Sequence, residues 1–418
     1  SPSLQDAGNQ TEQFASRGFV YSFIRSASYR YAKPKDYKKS DMEKVVASLE
    51  YHDIPEEKKI NIIAVMLEAY NDFSKFEGVN FENNPYIKWE KLKEESYSGE
   101  IVTNIFAGGT INTERSFVTG AMNLPDFRKK TNTYITYFDE QGYVTEGIHP
   151  YHGWYYNRKN INFNLGFQKY YFYEDIFAPN GIYLDAGKGL MPVISDDILF
   201  DTIYDLYEEN KKTGKPYLNF SVSLAMHGAY PVDVVTEKRY LKWEDNYTEE
   251  EYNICNYYFE QVEKTNEAIS RFVERFRKEE PVVIVFFGDH NPWLGNNNSV
   301  YDMLGINLET DEQEGFYNYY CTPYLFWAND SAKECLQKKI EGEGGVLSVC
   351  FLMNELFKVL GYEGNQFMQA STQLYETLNV IQGPFYQSQG RVIDELTENE
   401  NDLLKQFGKL QYYWLKER

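Results

Sequence analysis

The chain has 418 residues, with 42 Lys plus Arg against 63 Asp plus Glu, for a formal charge of −21. That balance excludes the basic footprint that nucleic acid binding requires. It also disfavours adsorption of the chain as a whole to an anionic membrane.

The length suits one large domain, or a large and a small one. No stretch reaches the roughly 20 apolar residues that span a bilayer, and no charged-then-apolar leader opens the chain. The opening SPSLQDAG reads as a cut end, so any anchor is expected outside this stretch. Four cysteines, Cys255, Cys321, Cys335 and Cys350, show no CxxC spacing, which argues against a sulfur-ligated zinc site. Cys255 and Cys350 fall in apolar helical patterns and are expected in the core.

Residues 1–58 read as a helical lead segment. Ser40 and Glu43 have capping-box spacing, Met42, Val45, Val46 and Leu49 share one face, and Pro34 and Pro55 punctuate the ends. The run Ile60 to Leu67 is near-continuously apolar and β-branched, the pattern of a strand buried on both faces of a parallel sheet. YLNFSVSLAMHG, ending at His227 and Gly228, is a second such run. Residues 249–279 form a long amphipathic helix, with Ile254, Tyr258, Val262, Ile269, Phe272, Val273 and Phe276 at helical spacing. A third strand follows in PVVIVFFGDH, which makes a βαβ order. TPYLFWAN (322–329) is a further strand candidate and 346–360 a further helix. The tail carries a Thr397–Glu400 capping box and an apolar stripe of Leu403, Leu404, Phe407, Leu410 and Trp414.

The implied fold is α/β: a three-layer sandwich with a central, mostly parallel sheet flanked by helices, and a small C-terminal α+β subdomain. The expected division is 1–58 as lead segment, 59–361 as main domain and 362–418 as a C-terminal segment packed on it.

Three of the apolar runs end in polar residues: Glu68, His227, and Asp289 with His290. Ligands of open α/β sheets bind at the carboxyl ends of the strands. Glu, Asp and His together suit Mn²⁺, Mg²⁺ or Zn²⁺. Each also has an ordinary structural reading, as a cap or a hydrogen-bonded turn residue. In FAGGTINTE (106–114), Gly108 and Gly109 permit close backbone approach, and Thr110 stands at an expected helix start. There the helix dipole and free N–H groups favour an alkoxide and phosphate oxygens. The alternative reading of Thr110 is a plain N-cap.

The series NIIAVMLEAYNDFS, GGTINTE, HPYHGWYYNR, SLAMHGAY and FFGDHNPW, in that order over roughly residues 15 to 360, resembles the extracellular catalytic domain of the lipoteichoic acid synthase family, a branch of the alkaline phosphatase and sulfatase superfamily. The resemblance implies one divalent metal, usually Mn²⁺ with Mg²⁺ or Zn²⁺ as options, held by Glu68, Thr110, Asp289 and His290. It implies Thr110 as a nucleophile taking phosphoglycerol from phosphatidylglycerol, releasing diacylglycerol and passing the group to a cell-envelope acceptor. It implies Arg158 and His227 as contacts to the phosphoglycerol. Tyr156 stands where lipoteichoic acid synthases have a tryptophan, and Tyr151 where they have a glycerol-contacting aspartate. It further implies a domain on the outer face of a bacterial membrane, tethered by helices that precede this segment. His149 and His152 read as residues behind the site or as exposed.

Competing readings remain. A sulfatase activity would need a C/S-x-P-x-R setting, which TINTE lacks. A second metal site is hard to build from five histidines. A phosphodiesterase, a phosphoethanolamine-type transferase and a headgroup-binding sensor on the same fold are the alternatives.

Overall fold

The computed structural model describes residues 32–185 and 192–418. Eight strands form the central sheet: β1 (Asn61–Leu67), β2 (Tyr97–Val102), β3 (Val144–Ile148), β4 (Lys169–Tyr171), β5 (Tyr217–Val222), β6 (Val282–Gly288), β7 (Cys321–Ala328) and β8 (Gly342–Ser348). Their order is β4-β3-β5-β1-β6-β7-β2-β8. The pairings are parallel except those of β7, which runs antiparallel to both β6 and β2.

The three layers follow from strand periodicity. Successive side chains of a strand point to opposite faces, and here each face meets its own core. Ile62, Ala64 and Met66 of β1 join Val283, Val285 and Phe287 of β6 in one apolar cluster. Ile63, Val65 and Leu67 join Val282, Ile284 and Phe286 in the other. Helices Thr110–Thr119, Tyr134–Glu140 and Leu352–Leu360 cover the first face. Helices Ile87–Glu94, Asp196–Lys211 and Glu249–Phe276 cover the second. This is why the central runs read as continuously apolar: both sides are buried.

The C-terminal residues form helix Gln366–Thr377, then a small antiparallel sheet of β9 (Leu378–Val380), β10 (Tyr386–Ser388) and β11 (Arg391–Ile393), then helix Glu398–Tyr412. The Thr397–Glu400 capping box is present in full. Phe367, Leu374, Phe407, Leu410 and Trp414 bury into the first core, so this part shares its apolar interior with the sheet.

Several expectations need correction. In the lead segment, residues 1–31 lie outside the described residues. The remainder is α-helical only at Lys39–Ala47, with a 3₁₀ turn at Glu56–Lys58, and Ser40 sits inside the α-helix while Lys38 is the N-cap without a side-chain cap. Met42 and Val46 are buried but Val45 is exposed. β5 and β6 are not neighbours, because β1 lies between them. The segment 346–360 splits into the end of β8, a single 3₁₀ turn and helix Leu352–Leu360. Cys255 and Cys350 are buried free thiols as expected, and so is Cys321. Among the described residues no helix is long and apolar enough to cross a membrane.

Asp196, at the start of helix Asp196–Lys211, gives a stability prediction. It is buried, one oxygen accepts from the Thr265 hydroxyl at 2.6 Å, and the other has no partner. Burial pushes its pKa up from 3.8 to about 6. The folded state therefore holds the proton more tightly than the unfolded one. The resulting stabilisation is present below the unfolded pKa and is lost as pH rises through the folded one, a swing of ~3 kcal/mol. Asp196→Asn should raise the melting temperature at about pH 8 and change it little at about pH 3, below the unfolded pKa. An equal shift at both would contradict this assignment.

Candidate active site

β1 and β6 are central and parallel, so their carboxyl ends open on the same side. Leu67 is in register with Gly288, and the next residues are Glu68 and Asp289. Register alone thus sets the two carboxylates side by side. Gly288 is the last residue of β6. Glycine is required there by close approach, because a Cβ would come 2.1 Å from the Tyr70 carbonyl oxygen. Gly288→Ala should displace Asp289, seen as a lower melting temperature together with weaker metal retention. Unchanged metal binding in a folded variant would contradict the register argument.

The backbones that carry these groups are pinned. The Glu68 N–H donates to Ser223 Oγ at 3.0 Å, and the Ala69 N–H donates to Asp289 Oδ1 at 2.8 Å. Thr113 donates its hydroxyl to the Asp289 carbonyl at 2.8 Å.

One ligand atom from each of Glu68, Asp289 and His290 lies within 4.8 Å of the others, and all three residues are buried. His290 Nε2 stands 3.2 Å from Asp289 Oδ2 and 3.6 Å from Glu68 Oε1. His290 Nδ1 faces the Asn291 carbonyl at 2.9 Å. Assigning the ring proton to that bond leaves Nε2 bare and aimed at the carboxylates. Asp289 Oδ2 is buried without a hydrogen-bond partner. Burial and then the nearby Asp289 charge push Glu68 up to about 8. Two buried carboxylates and a bare imidazole nitrogen are costly together unless a cation joins them. The donor set fits a single Mn²⁺, Mg²⁺ or Zn²⁺. Chelation should therefore lower the melting temperature, and saturating Mn²⁺ should restore it. A metal at a hundred times its Kd stabilises by ~2.7 kcal/mol. A melting curve indifferent to both treatments would contradict a metal here.

Thr110 is the first residue of helix Thr110–Thr119, and its cap is Gly109 in the left-handed region at φ 83°. The threonine side chain is therefore not used in capping. Its Oγ1 donates to Glu68 Oε2 at 3.4 Å and lies 3.5 Å from His290 Nε2. Ala107, Gly108 and Gly109 all have positive φ, an arrangement that turns the loop ahead of the helix into the cleft.

Arg158 is buried at the start of helix Arg158–Asn164. Its Nε donates to Glu114 Oε2 at 2.9 Å, and its Nη1 meets His149 Nε2 at 3.1 Å. His149 Nδ1 in turn faces the Val222 carbonyl at 3.1 Å. Burial and then the Arg158 charge hold His149 well below its usual pKa, so it stands as a neutral acceptor. Glu114 lies on the Thr110 helix, which links the arginine to the same element as the hydroxyl. Two contacts fix the guanidinium plane.

The cleft holds a cavity of about 70 Å³, and its walls include Glu68, Thr110, Arg158, His227 and His290, with Tyr151, Tyr155 and Tyr156. The structure thus brings the sequence-predicted residues together, with Asp289 buried behind Glu68 and His290. One placement differs: β5 ends at Val222, and His227 reaches the cleft from the following loop rather than from a strand tip. Sequence reasoning missed Glu114 and Tyr155, and of its two readings of His149 the one behind the site holds. The i, i+4 spacing of Thr110 and Glu114 was the available signal for the first. His152 is half-buried, 3.4 Å from Glu174.

A family model described as Sulfatase matches residues 60–362, well over half of the chain. The chain belongs to the sulfatase family. Among curated relatives of this family member, a putative cyclic β-1,2-glucan modification protein of Rhizobium meliloti is 25% identical over 393 residues. That match takes in 89% of this chain and 57% of the relative, so the chain spans little more than half the relative's length. Two solved structures share the sulfatase-family fold. The Streptococcus pyogenes phosphoglycerol transferase GacH, in complex with sn-glycerol-1-phosphate, has a TM-score of 0.68 at 18% identity, covering 93% of this chain and 96% of that one. The lipoteichoic acid synthase LtaP of Listeria monocytogenes has a TM-score of 0.62 at 17% identity, covering 90% and 97%.

Proposed function

We propose that this domain is a metal-dependent phosphoglycerol transferase that works through a covalent intermediate on Thr110. The observation that carries the reading is the joint placement of a helix-start hydroxyl, a buried carboxylate–imidazole cluster with the unpartnered Asp289 Oδ2, and a fixed arginine around one cleft. The bound sn-glycerol-1-phosphate of the Streptococcus pyogenes neighbour supports the choice of donor group.

A divalent ion held by Glu68, Asp289, His290 and Thr110 would supply Lewis-acid charge for the phosphoryl oxygens and for the threonine oxygen. The chain's own residues do the rest. The Thr110 hydroxyl points its proton at Glu68 Oε2, its acceptor at 3.4 Å. Thr110 Oγ1 gives its proton to Glu68 Oε2 and bonds phosphorus as the bond to the lipid oxygen breaks, and the diacylglycerol alkoxide takes a proton from water at the cleft mouth and leaves as the alcohol. Arg158 pairs with the phosphoryl oxygens, its plane set by Glu114 and His149. Tyr151, Tyr156 and His227 line the space left for the glycerol. In the second half an acceptor hydroxyl attacks the threonyl phosphodiester, takes the phosphoglycerol and frees Thr110. The name of the Rhizobium relative favours a glycan hydroxyl as that acceptor. Such chemistry suits the outer face of a bacterial membrane.

The test is diacylglycerol release from phosphatidylglycerol with Mn²⁺, in native and chelated protein. Metal-dependent release supports the reading. No release from protein shown to bind metal would move the donor to another headgroup.

A further inference from the structure

The net charge of −21 conceals a local reversal beside the cleft. Residues 126–130 read DFRKK, and Arg128, Lys129 and Lys130 are exposed. Asp126 offsets Arg128 at 3.1 Å. Among the described residues Lys129 donates to a backbone carbonyl, that of Lys416, and pairs with no carboxylate. Lys130 lies 5.4 Å from the ring centroid of Phe163, which is 61% exposed. Lys159 is exposed and has no acidic partner among the described residues.

These groups form one surface, because the 126–130 segment is bonded to helix Arg158–Asn164. Asn164 Nδ2 donates to the Phe127 carbonyl at 2.7 Å, and the Thr131 N–H donates to the Asn164 carbonyl at 2.9 Å. The same helix begins with Arg158 in the cleft wall. The preceding turn carries Trp154, which is 69% exposed, and the Lys159 N–H donates to the Gly153 carbonyl at 2.9 Å. Arg115 Nη2 reaches the Tyr156 carbonyl at 3.4 Å, tying the segment's neighbour to the rim.

We propose that this surface docks the domain on an anionic phospholipid bilayer and holds the mouth of the cleft at the headgroup level. Lysines around a projecting phenylalanine and a nearby tryptophan are the composition of an interfacial contact: the rings enter the headgroup boundary and the ammonium groups meet phosphates. The charge complementarity is local, since the chain overall would be repelled. A soluble polyanion would use the lysines but would leave the two exposed rings without a role. The docking itself does not depend on the transfer chemistry.

The experiment is sedimentation of the protein with vesicles of neutral phosphatidylcholine, with and without phosphatidylglycerol, at low and high salt. Wild type should bind the anionic vesicles preferentially and lose them at high salt. Lys130→Glu with Lys159→Glu, and separately Phe163→Ser, should each weaken partition by about tenfold or more. Melting curves confirm that the variants fold. Turnover on a short-chain, monomeric phosphatidylglycerol should stay near wild type in these variants. Should no donor be turned over, the transfer reading fails and the vesicle result still decides docking. Equal binding to neutral and anionic vesicles, or folded variants that bind like wild type, would overturn the proposal. So would binding to soluble polyphosphate, lost in the charge-reversed variant, with no binding to vesicles.

Discussion

Thr110→Ala is expected to lower diacylglycerol release by at least ~10³-fold, the scale on which loss of a covalent nucleophile acts. The hydroxyl lies 3.4 Å from Glu68 and 3.5 Å from His290, so it is one of several groups around the cation position. Glu68, Asp289 and His290 remain together without it. Metal binding by the variant should therefore fall only severalfold, as read by calorimetry or by the melting shift with Mn²⁺. Thr110→Ser should keep measurable turnover, since it retains a hydroxyl at the same helix position. Wild-type release by the alanine variant would remove Thr110 from the chemistry. Complete loss of metal binding would recast it as a structural ligand.

The second large effect belongs to Arg158. Arg158→Ala should lower both stability and turnover. Stability falls because Glu114 and His149 lose their shared partner in a buried setting. Removing one member of a buried pair typically costs ~3–5 kcal/mol. Turnover falls because the bidentate cation facing the phosphoryl group is gone. The double variant Arg158→Met with Glu114→Gln separates the two effects. It leaves no uncompensated buried charge, so much of the stability should return in thermal melts. Activity should not return. If the double variant recovered activity along with stability, Arg158 would be a structural residue that does not touch the substrate.

The centre of the molecule is the part most legible in the sequence. β1 and β6 are buried on both faces, so each reads as an apolar run whatever the neighbouring elements do. Their polar ends, Glu68 and Asp289 with His290, stand out because nothing else in those runs is charged. Helix Glu249–Phe276 is long enough for its period to show. The edge of the sheet is different. β8 reads GEGGVLS, with Gly342, Glu343 and Gly345 exposed but Gly344 buried, and a Cβ on Gly344 would meet the Tyr324 hydroxyl at 2.1 Å. Its glycines answer a neighbour distant in sequence, so local pattern cannot reveal a strand there. β2 and β3 contain Gly99, Glu100, Glu146 and Gly147, which break the alternation for the same kind of reason.

The site divides in the same way. Thr110 was visible from the glycines before it, whereas the ion pair with Glu114 joins Arg158 to a helix 44 residues earlier in sequence. His149 offers no sign in the sequence that its two nitrogens bridge the Val222 carbonyl and Arg158. His227 was expected at a strand tip because the apolar pattern continues through Leu224 and Met226, although β5 has already ended at Val222. It reaches the cleft all the same, carried by the loop.

The covalent step is the central claim, and acid-quenched reaction followed by peptide mass spectrometry tests it most directly. Protein mixed with Mn²⁺ and phosphatidylglycerol, without acceptor, should yield a glycerophosphoryl adduct on the peptide containing Thr110, absent from Thr110→Ala and from chelated protein. Diacylglycerol release with no adduct on that peptide, or an adduct on another residue, would contradict the account.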